Sequence, residues 1–310
     1  MKAARLHGRN GTKALIFEEA PLPEPTEGEV RVRVHAVGVT PGELNWPETW
    51  KTSTGEDRNL SIPGHEFSGI VDAVGRDITS VTPGTTVYAF TDFTRDGAEA
   101  EYAIALPSEI ARKPKLINHI QAATLPLSGL TAWQALFVHA KLSRGQSILI
   151  HGAAGGVGTL AVQLARYAGA HVIGTASIAN QAFVRSLGAH EVIDYMAMPF
   201  ENVVHDVDVV LDTVGDDTLD RSFGVLKRGG VLVSIVSTPS PEKAEAYDVR
   251  SVFFIVRPNH AHLVQISGLV DAGLLHPVVK GVLSLAQVRT AYESVHSRGA
   301  QGKLVIRVFG

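Results

Sequence analysis

One stretch constrains this chain more than any other: Ile148-Leu149-Ile150-His151-Gly152-Ala153-Ala154-Gly155-Gly156-Val157-Gly158. An apolar run, short enough for a buried strand, ends in a glycine-rich turn. A helical pattern follows at once, Thr159-Leu160-Ala161-Val162-Gln163-Leu164-Ala165-Arg166-Tyr167-Ala168. Strand, turn and helix in that order let backbone amides approach a pyrophosphate, whose charge the positive end of the helix then stabilises. The spacing G-x-G-x-x-G is met imperfectly, because Ala153 stands where the first glycine belongs.

The rest of the chain supplies the context that such a turn requires. From about residue 120 onward, strand-like and helix-like patterns alternate. Candidate strands fall at 147–152, 171–175, 191–194, 207–212 and 230–235, mostly Val, Ile and Leu, apolar on both faces as buried parallel strands are. Alternation of this kind predicts a doubly wound parallel sheet, the Rossmann arrangement. Phe253-Phe254-Ile255-Val256 reads as a further strand at the sheet edge, where pairing with a second subunit is invited.

Residues before 120 read differently. Val30-Arg31-Val32-Arg33-Val34-His35-Ala36-Val37 alternates at period two, and Ser68–Gly75 and Thr86–Phe90 are further strands. Pro41-Gly42, Pro63-Gly64 and Pro83-Gly84 punctuate them. Helical sequence spans Ile120–Ala140, interrupted at Pro126 and Gly129. After Pro258 come a helix over roughly 259–273 and a closing alternating strand, Lys303–Val308. The expectation is an α/β protein whose Rossmann domain, 121–257, is inserted into a β-rich domain made of 1–120 and 258–310.

Composition removes several alternatives. The chain has 310 residues, enough for two domains, and a formal charge of -3, which gives no electrostatic reason to expect nucleic acid. No uncharged apolar window reaches about 18 residues, so no membrane span is expected. Met1-Lys2-Ala3-Ala4-Arg5-Leu6-His7 lacks the apolar core of a signal peptide, and a cytoplasmic protein is the expectation. There is no cysteine. Disulfides, thiolate zinc sites and cysteine nucleophiles are thereby excluded.

Several segments together resemble one family, the medium-chain dehydrogenase/reductases. Gly64-His65-Glu66-Phe67-Ser68-Gly69-Ile70-Val71-Asp72-Ala73-Val74-Gly75 resembles the family's GHE-x-x-G-x-V-x-x-V-G segment. Ala153-Ala154-Gly155-Gly156-Val157-Gly158 is similar to the AAGGVG cofactor turn of its quinone oxidoreductase branch. Asp208–Gly215, Leu226–Val233 and Gly302–Val305 resemble three further family strands. The resemblance implies a GroES-like catalytic domain around a Rossmann domain, and a homodimer. Zinc members carry a cysteine ligand where this chain has Thr40, and a four-cysteine lobe where residues 91–101 hold none. His65 and Glu66 remain, but without a third ligand they are expected to serve as structural hydrogen-bonding residues. His260 and His262, at i and i+2 of a helical pattern, point to different faces, so a solvated or capping role is expected rather than a metal.

The turn also bears on the cofactor. NAD sites hold the ribose 2′-hydroxyl with an acid about 20 residues past the turn. This chain has Ser177 there, and the next acid is Glu191. The missing acid favours NADP(H), whose 2′-phosphate Ser177 can hydrogen-bond; a helix N-cap is the alternative role for Ser177. A lysine found in NADPH-dependent relatives is replaced by Gln181, while Arg185 is either a charge for the phosphate or a solvated residue. The resemblance places Ala154, Gly155, Gly156 and Val157 on the phosphates and Tyr195 near the 2′-phosphate. It places Val214 and Gly215 under the nicotinamide ribose, and Phe254, Val256 and Pro258 toward the nicotinamide.

Without zinc to stabilise an alkoxide, an easier electrophile is expected. Quinones and α,β-unsaturated carbonyls spread the incoming charge onto an oxygen that hydrogen-bond donors can hold. By family position, Thr40, Asn45 and Thr131 are the candidate catalytic residues. For Thr40 the alternative is a strand-end threonine satisfied by backbone. Trp46, Trp50, Phe90 and Phe93 are candidate aromatic walls or ordinary core. Lys303 is a further candidate to face the cleft, although on a terminal strand a solvated lysine is the expectation. Two other readings remain open: an enoyl-thioester reductase, and a non-catalytic NADPH-binding sensor or structural protein.

Overall fold

The computed structural model describes residues 1–295 and 301–309. It divides into two units, one of residues 1–127, 257–273 and 277–310, the other of residues 128–256 and 274–276. Residues 121–127 group with the first unit.

In the first unit, β1 (Lys2–Leu6) and β2 (Leu15–Glu19) form an antiparallel pair. The strands β3 (Val30–Gly38), β4 (Glu66–Val74), β5 (Thr86–Phe90), β6 (Tyr102–Ala105) and β7 (Ile110–Arg112) follow. Val30, Val32 and Val34 are fully buried while Arg33 between them is exposed, the inside–outside alternation that the sequence shows at period two. The short helix α1 (His119–Ala122) is capped by Asn118, whose side chain accepts from the Gln121 amide. The second helix, α2 (Pro126–Trp133), runs through Gly129 without a break and widens into a π-helical stretch, Gln134–His139.

The second unit is a six-stranded, wholly parallel sheet. Its strands are β8 (Ser147–Ile150), β9 (His171–Ala176), β10 (Glu191–Asp194), β11 (Val207–Asp212), β12 (Leu226–Ser234) and β13 (Arg250–Phe253). Their spatial order is β10-β9-β8-β11-β12-β13. That order reverses direction between β8 and β11, where doubly wound sheets open a crevice at the strands' carboxyl ends. Ile148, Leu149 and Ile150 are all fully buried, as a central parallel strand requires. Helices α3 (Gly156–Tyr167), α4 (Gln181–Ser186), α5 (Asp216–Ser222) and α6 (Pro241–Ala246) make the connections. The edge strand lies earlier than the aromatic run suggested: only Phe253 of that run is in β13, and Phe254, Ile255 and Val256 continue as loop.

The chain then returns to the first unit with α7 (His260–Asp271), β14 (Val279–Ser284), α8 (Val288–Ser294) and β15 (Lys303–Arg307). Strand β15 joins β3 antiparallel, giving the sheet order β14-β15-β3-β4-β5-β7 with β6 also paired to β3. The amino-terminal and carboxyl-terminal parts of the unit therefore share one sheet. No helix among the described residues is long and apolar enough to cross a membrane.

Candidate active site and cofactor turn

In the second unit the turn after β8 is built for close backbone approach. Gly152 has φ +66, the left-handed conformation that glycine adopts without penalty. It thus takes the tight turn one residue before the alanine that departs from the motif. Ala153 is fully buried, and its methyl fits because Gly174 in β9 has none: a Cβ there would lie 2.9 Å from that of Ala153. Gly158 packs on the turn, and a Cβ on it would meet the Gly152 carbonyl oxygen at 2.2 Å.

Helix α3 starts at Gly156, and its N-cap Gly155 has no side chain to satisfy the first amides. A side chain on Gly155 would meet only the Gly152 oxygen, at 3.3 Å, so the space above is open. The amides of Ala154, Gly156 and Val157 therefore face the positive end of a twelve-residue helix, while the Gly155 amide closes the turn on the Gly152 carbonyl oxygen at 3.0 Å. These groups fit a pyrophosphate.

His151, just before the turn, is buried and neutral. Its ring nitrogens lie 3.2 Å from the Thr175 hydroxyl and 3.0 Å from that of Ser222. Burial pushes the imidazole down to about 3. It pins the end of β8 and is not a proton carrier at neutral pH.

A cavity of about 320 Å³ opens beside the turn, lined in part by Gly152, Thr175, Tyr195, Val214, Thr218 and Arg221. Tyr195 is more than half exposed there. Arg221 is not free for a phosphate, since it holds Glu201 with two bonds of 2.8 and 2.7 Å and Asp217 with another of 2.7 Å. Asp212, fully buried, accepts from the amides of Val214 at 3.1 Å and Gly215 at 3.0 Å and from Ser234 Oγ at 3.0 Å. The carboxylate thereby fixes the Val214–Gly215 bend.

Ser177 follows β9 and its side chain makes no capping bond, so the N-cap role is not realised. The acid at the end of β10, Asp194, accepts from the Met196 amide at 3.0 Å. Arg185 is exposed on α4. Phe254 packs on the His139 ring, with centroids 4.3 Å apart, and Val256 is half-buried. Thr131 is buried in α2.

The first unit holds a buried polar cluster that the sequence only partly signalled. Thr40 is satisfied by side chains rather than by backbone. Its hydroxyl donates to Glu66 Oε1 at 3.1 Å and accepts from Lys303 Nζ at 3.1 Å. Lys303 also pairs directly with Glu66, whose other oxygen accepts from the Leu127 amide at 3.2 Å. Lys303 is only 7% exposed, so the expectation of a solvated lysine is corrected. Burial pushes the lysine below its ordinary range, with Glu43 opposing the shift. Strand pattern places position 303 at the start of β15, but pattern cannot say that an acid waits for it inside.

Beside this lies a second pair. His65 Nδ1 meets Glu43 Oε1, and its Nε2 is 2.9 Å from the Arg95 carbonyl oxygen. Glu43 also accepts from the Gly64 amide at 2.6 Å. Burial disfavours charge on His65, but the Glu43 carboxylate outweighs it and holds the imidazole above its ordinary range. Glu99 is fully buried, accepts from the Tyr292 hydroxyl at 2.8 Å, and is pushed well above the usual carboxylate range by burial and then by Glu43. Neither Glu43 nor Glu99 stood out in the sequence, where no local pattern marks either as buried.

Among the expected aromatic walls, Trp50 is buried and donates to the Leu44 carbonyl at 3.3 Å. Phe93 packs edge-on against both Trp46 and His65, at 4.8 and 5.2 Å between centroids. Asn45 is exposed. A larger cavity of about 630 Å³, lined by Val87, Ile110, Arg112, His260 and Val264 among others, contains none of the candidate residues. His260 there pairs with the Ile110 carbonyl at 2.6 Å, and the His262 amide donates to Oδ1 of the cap residue Asn259 at 2.9 Å.

Comparison with known proteins places the whole chain. Residues 26–115 match the family described as alcohol dehydrogenase GroES-like domain, and residues 187–306 match the one described as zinc-binding dehydrogenase. The chain is 37% identical over 313 residues to a probable zinc-binding oxidoreductase, mitochondrial, of Arthroderma benhamiae, covering 95% of this chain and 93% of that protein. It is 32% identical to an NADPH-dependent alkenal/one oxidoreductase, chloroplastic, of Arabidopsis thaliana, covering 92% and 73% respectively. The solved quinone oxidoreductase from Coxiella burnetii superposes with a TM-score of 0.90 at 33% identity, over 100% of this chain and 99% of that one.

Two of these names mention zinc, so the donors must be weighed. Both nitrogens of His65 are engaged, both oxygens of Glu66 are engaged, and Thr40 stands between Glu66 and Lys303. An ammonium lies against the carboxylate that a metal would need. This donor set does not fit a tetrahedral zinc site, which takes three or four nitrogen, sulfur or carboxylate ligands. With its GroES-like and Rossmann parts both matched, the chain is an oxidoreductase of the medium-chain dehydrogenase/reductase superfamily, in the quinone oxidoreductase branch.

Proposed function

We propose that the protein reduces quinones or α,β-unsaturated carbonyls with NADPH and without a metal ion. The observation that carries this reading is the Lys303–Thr40–Glu66 cluster, in which a lysine ammonium pairs with the carboxylate a zinc would otherwise claim. The reduced nicotinamide, when bound, supplies a hydride, which is two electrons and a proton's mass in one transfer. The acceptor must then hold negative charge on oxygen until a proton arrives from water. A conjugated acceptor develops that charge gradually, and neutral donors suffice to hold it.

Thr40 is the donor we assign to the acceptor's oxygen. Asn45, exposed in the following loop, and Thr131 are assigned to substrate and nicotinamide respectively. Ala154, Gly156 and Val157 bind the pyrophosphate through their amides, Gly155 leaves room for it by having no side chain, and Val214 and Gly215 form the ribose floor. Phe254 and Val256 border the nicotinamide. NADPH is favoured over NADH by the absence of an acid at the end of β9 and by the Ser177 side chain, which makes no capping bond, with Tyr195 lining the cavity beside the turn. The exposed apolar residues Phe253 and Ile255 at the β13 edge support a homodimer, which sedimentation would check.

A panel of 1,4-benzoquinone, alkenals and enones, each offered with NADPH and with NADH, tests the reading. Turnover is expected with NADPH and unchanged by EDTA. Tight NADPH binding with no turnover of any acceptor would refute it, as would activity lost to EDTA and restored by zinc.

A further inference from the structure

Lys303 is too deeply placed for a surface lysine and too well connected for a filler of space. Its ammonium donates to Thr40 Oγ1 and pairs with Glu66, while Thr40 donates to the same Glu66 oxygen. Glu66 is fully buried, and its second oxygen is already committed to the Leu127 amide. A hydroxyl has one proton to give. In this arrangement the proton of Thr40 points at a carboxylate, the strongest acceptor nearby, and not at a substrate.

We propose that Lys303 is a positioning residue for catalysis: it neutralises Glu66 and polarises Thr40, so that the threonine proton is free to turn toward the substrate oxygen. The inference rests on the function proposed above. When negative charge develops on that oxygen, the Thr40 proton rotates away from Glu66 Oε1. Glu66 is not left bare, because the ammonium and the Leu127 amide still satisfy it. Lys303 keeps donating to Thr40 Oγ1 throughout, and a hydroxyl that accepts from a cation is a stronger donor. No bond to hydrogen is broken at Lys303 and no proton leaves the cluster. The acceptor's final proton comes from water.

The charged groups facing Lys303 are few. Glu66 comes from β4, and Glu43, from the turn after β3, opposes the loss of its proton. Glu43 itself is held by His65 and the Gly64 amide. Every one of these groups lies in the first unit, so the arrangement is complete within one sheet and its adjoining turns.

The test is a mutant cycle on the full-length protein with NADPH and 1,4-benzoquinone. Lys303→Met alone strands the buried Glu66 charge and can compromise folding. The double variant Lys303→Met/Glu66→Gln removes both charges and keeps the cluster neutral, so melting temperature and NADPH affinity by fluorescence should stay near wild type. The expected result is a kcat lower by about 10- to 100-fold in the double variant, the worth of one charge-assisted hydrogen bond, with KM little changed.

In a Thr40→Val background the same double change should cost nothing further, because Lys303 acts only through Thr40. Full kcat in the folded double variant, or an equal loss with and without the Thr40 hydroxyl, overturns the inference while leaving the proposed function standing. A wild-type protein that binds NADPH but turns over no acceptor overturns the function and this inference together.

Discussion

Gly158 and Gly152 touch so closely that a single added carbon cannot fit between them: a Cβ on Gly158 would lie 2.2 Å from the Gly152 carbonyl oxygen. The contact closes α3 onto the end of β8 and sets the aperture of the turn. Gly158→Ala must therefore push the helix away from the strand. A loss of about 2 kcal/mol or more is expected from overpacking, together with weakened NADPH binding. Denaturant unfolding and fluorescence titration measure the two; wild-type values for both would mean that the turn has slack enough to take the methyl.

Thr40→Val keeps the shape and removes the hydroxyl. Glu66 retains Lys303 and the Leu127 amide, so stability should fall by only about 1 kcal/mol. Turnover should fall further, by about 10- to 100-fold, because the lost donor faces the developing charge. NADPH affinity should not move. A variant with normal kcat would remove Thr40 from the reaction.

Cofactor choice should respond to charge at the end of β9. Ser177→Asp places a carboxylate where the 2′-phosphate is proposed to sit, without disturbing a cap, since Ser177 makes none. NADPH should bind at least about tenfold more weakly, and NADH as well as before or better. Equal effects on both cofactors would show that the phosphate lies elsewhere.

Glu99 predicts a particular pH dependence. Its carboxyl is held well above the usual range, so the folded protein binds its proton more tightly than the unfolded chain does. The stability this supplies is present below the ordinary carboxylate value of 4.5 and is lost as pH rises from there toward the raised value. Glu99→Gln imitates the protonated form and can still accept from Tyr292. The variant should therefore match wild type near pH 5 and melt at higher temperature near pH 8. A difference that does not grow with pH would show that Glu99 ionises as freely in the fold as out of it.

Local order was legible wherever one residue's neighbours along the chain decide its environment. Residues 191–194 and 207–212 fall where their apolar runs place them, and the turn at 152–158 announces both its strand and its helix. The edge strand was misplaced because aromatic residues outweighed Arg250, Ser251 and Val252, which pair with β12. The cluster at Thr40 was half legible. Its threonine and its Glu66 sit in recognisable segments, but Lys303 reaches them across most of the chain's length, and no local pattern tells a buried lysine from a solvated one. Glu43 and Glu99 were invisible for the same reason.

Ala153 and Gly174 have a consequence of their own. The methyl that the phosphate turn carries is the methyl that β9 lacks, so the two positions share one fixed volume. Gly174→Ala alone should jam the sheet and Ala153→Gly alone should leave a void, yet exchanging the two together should relieve most of the clash, leaving only Val184, at 3.1 Å from the new methyl, to give way. Steric room in such a turn is held in common by two strands, and a spelling that looks irregular along one of them is completed by the other.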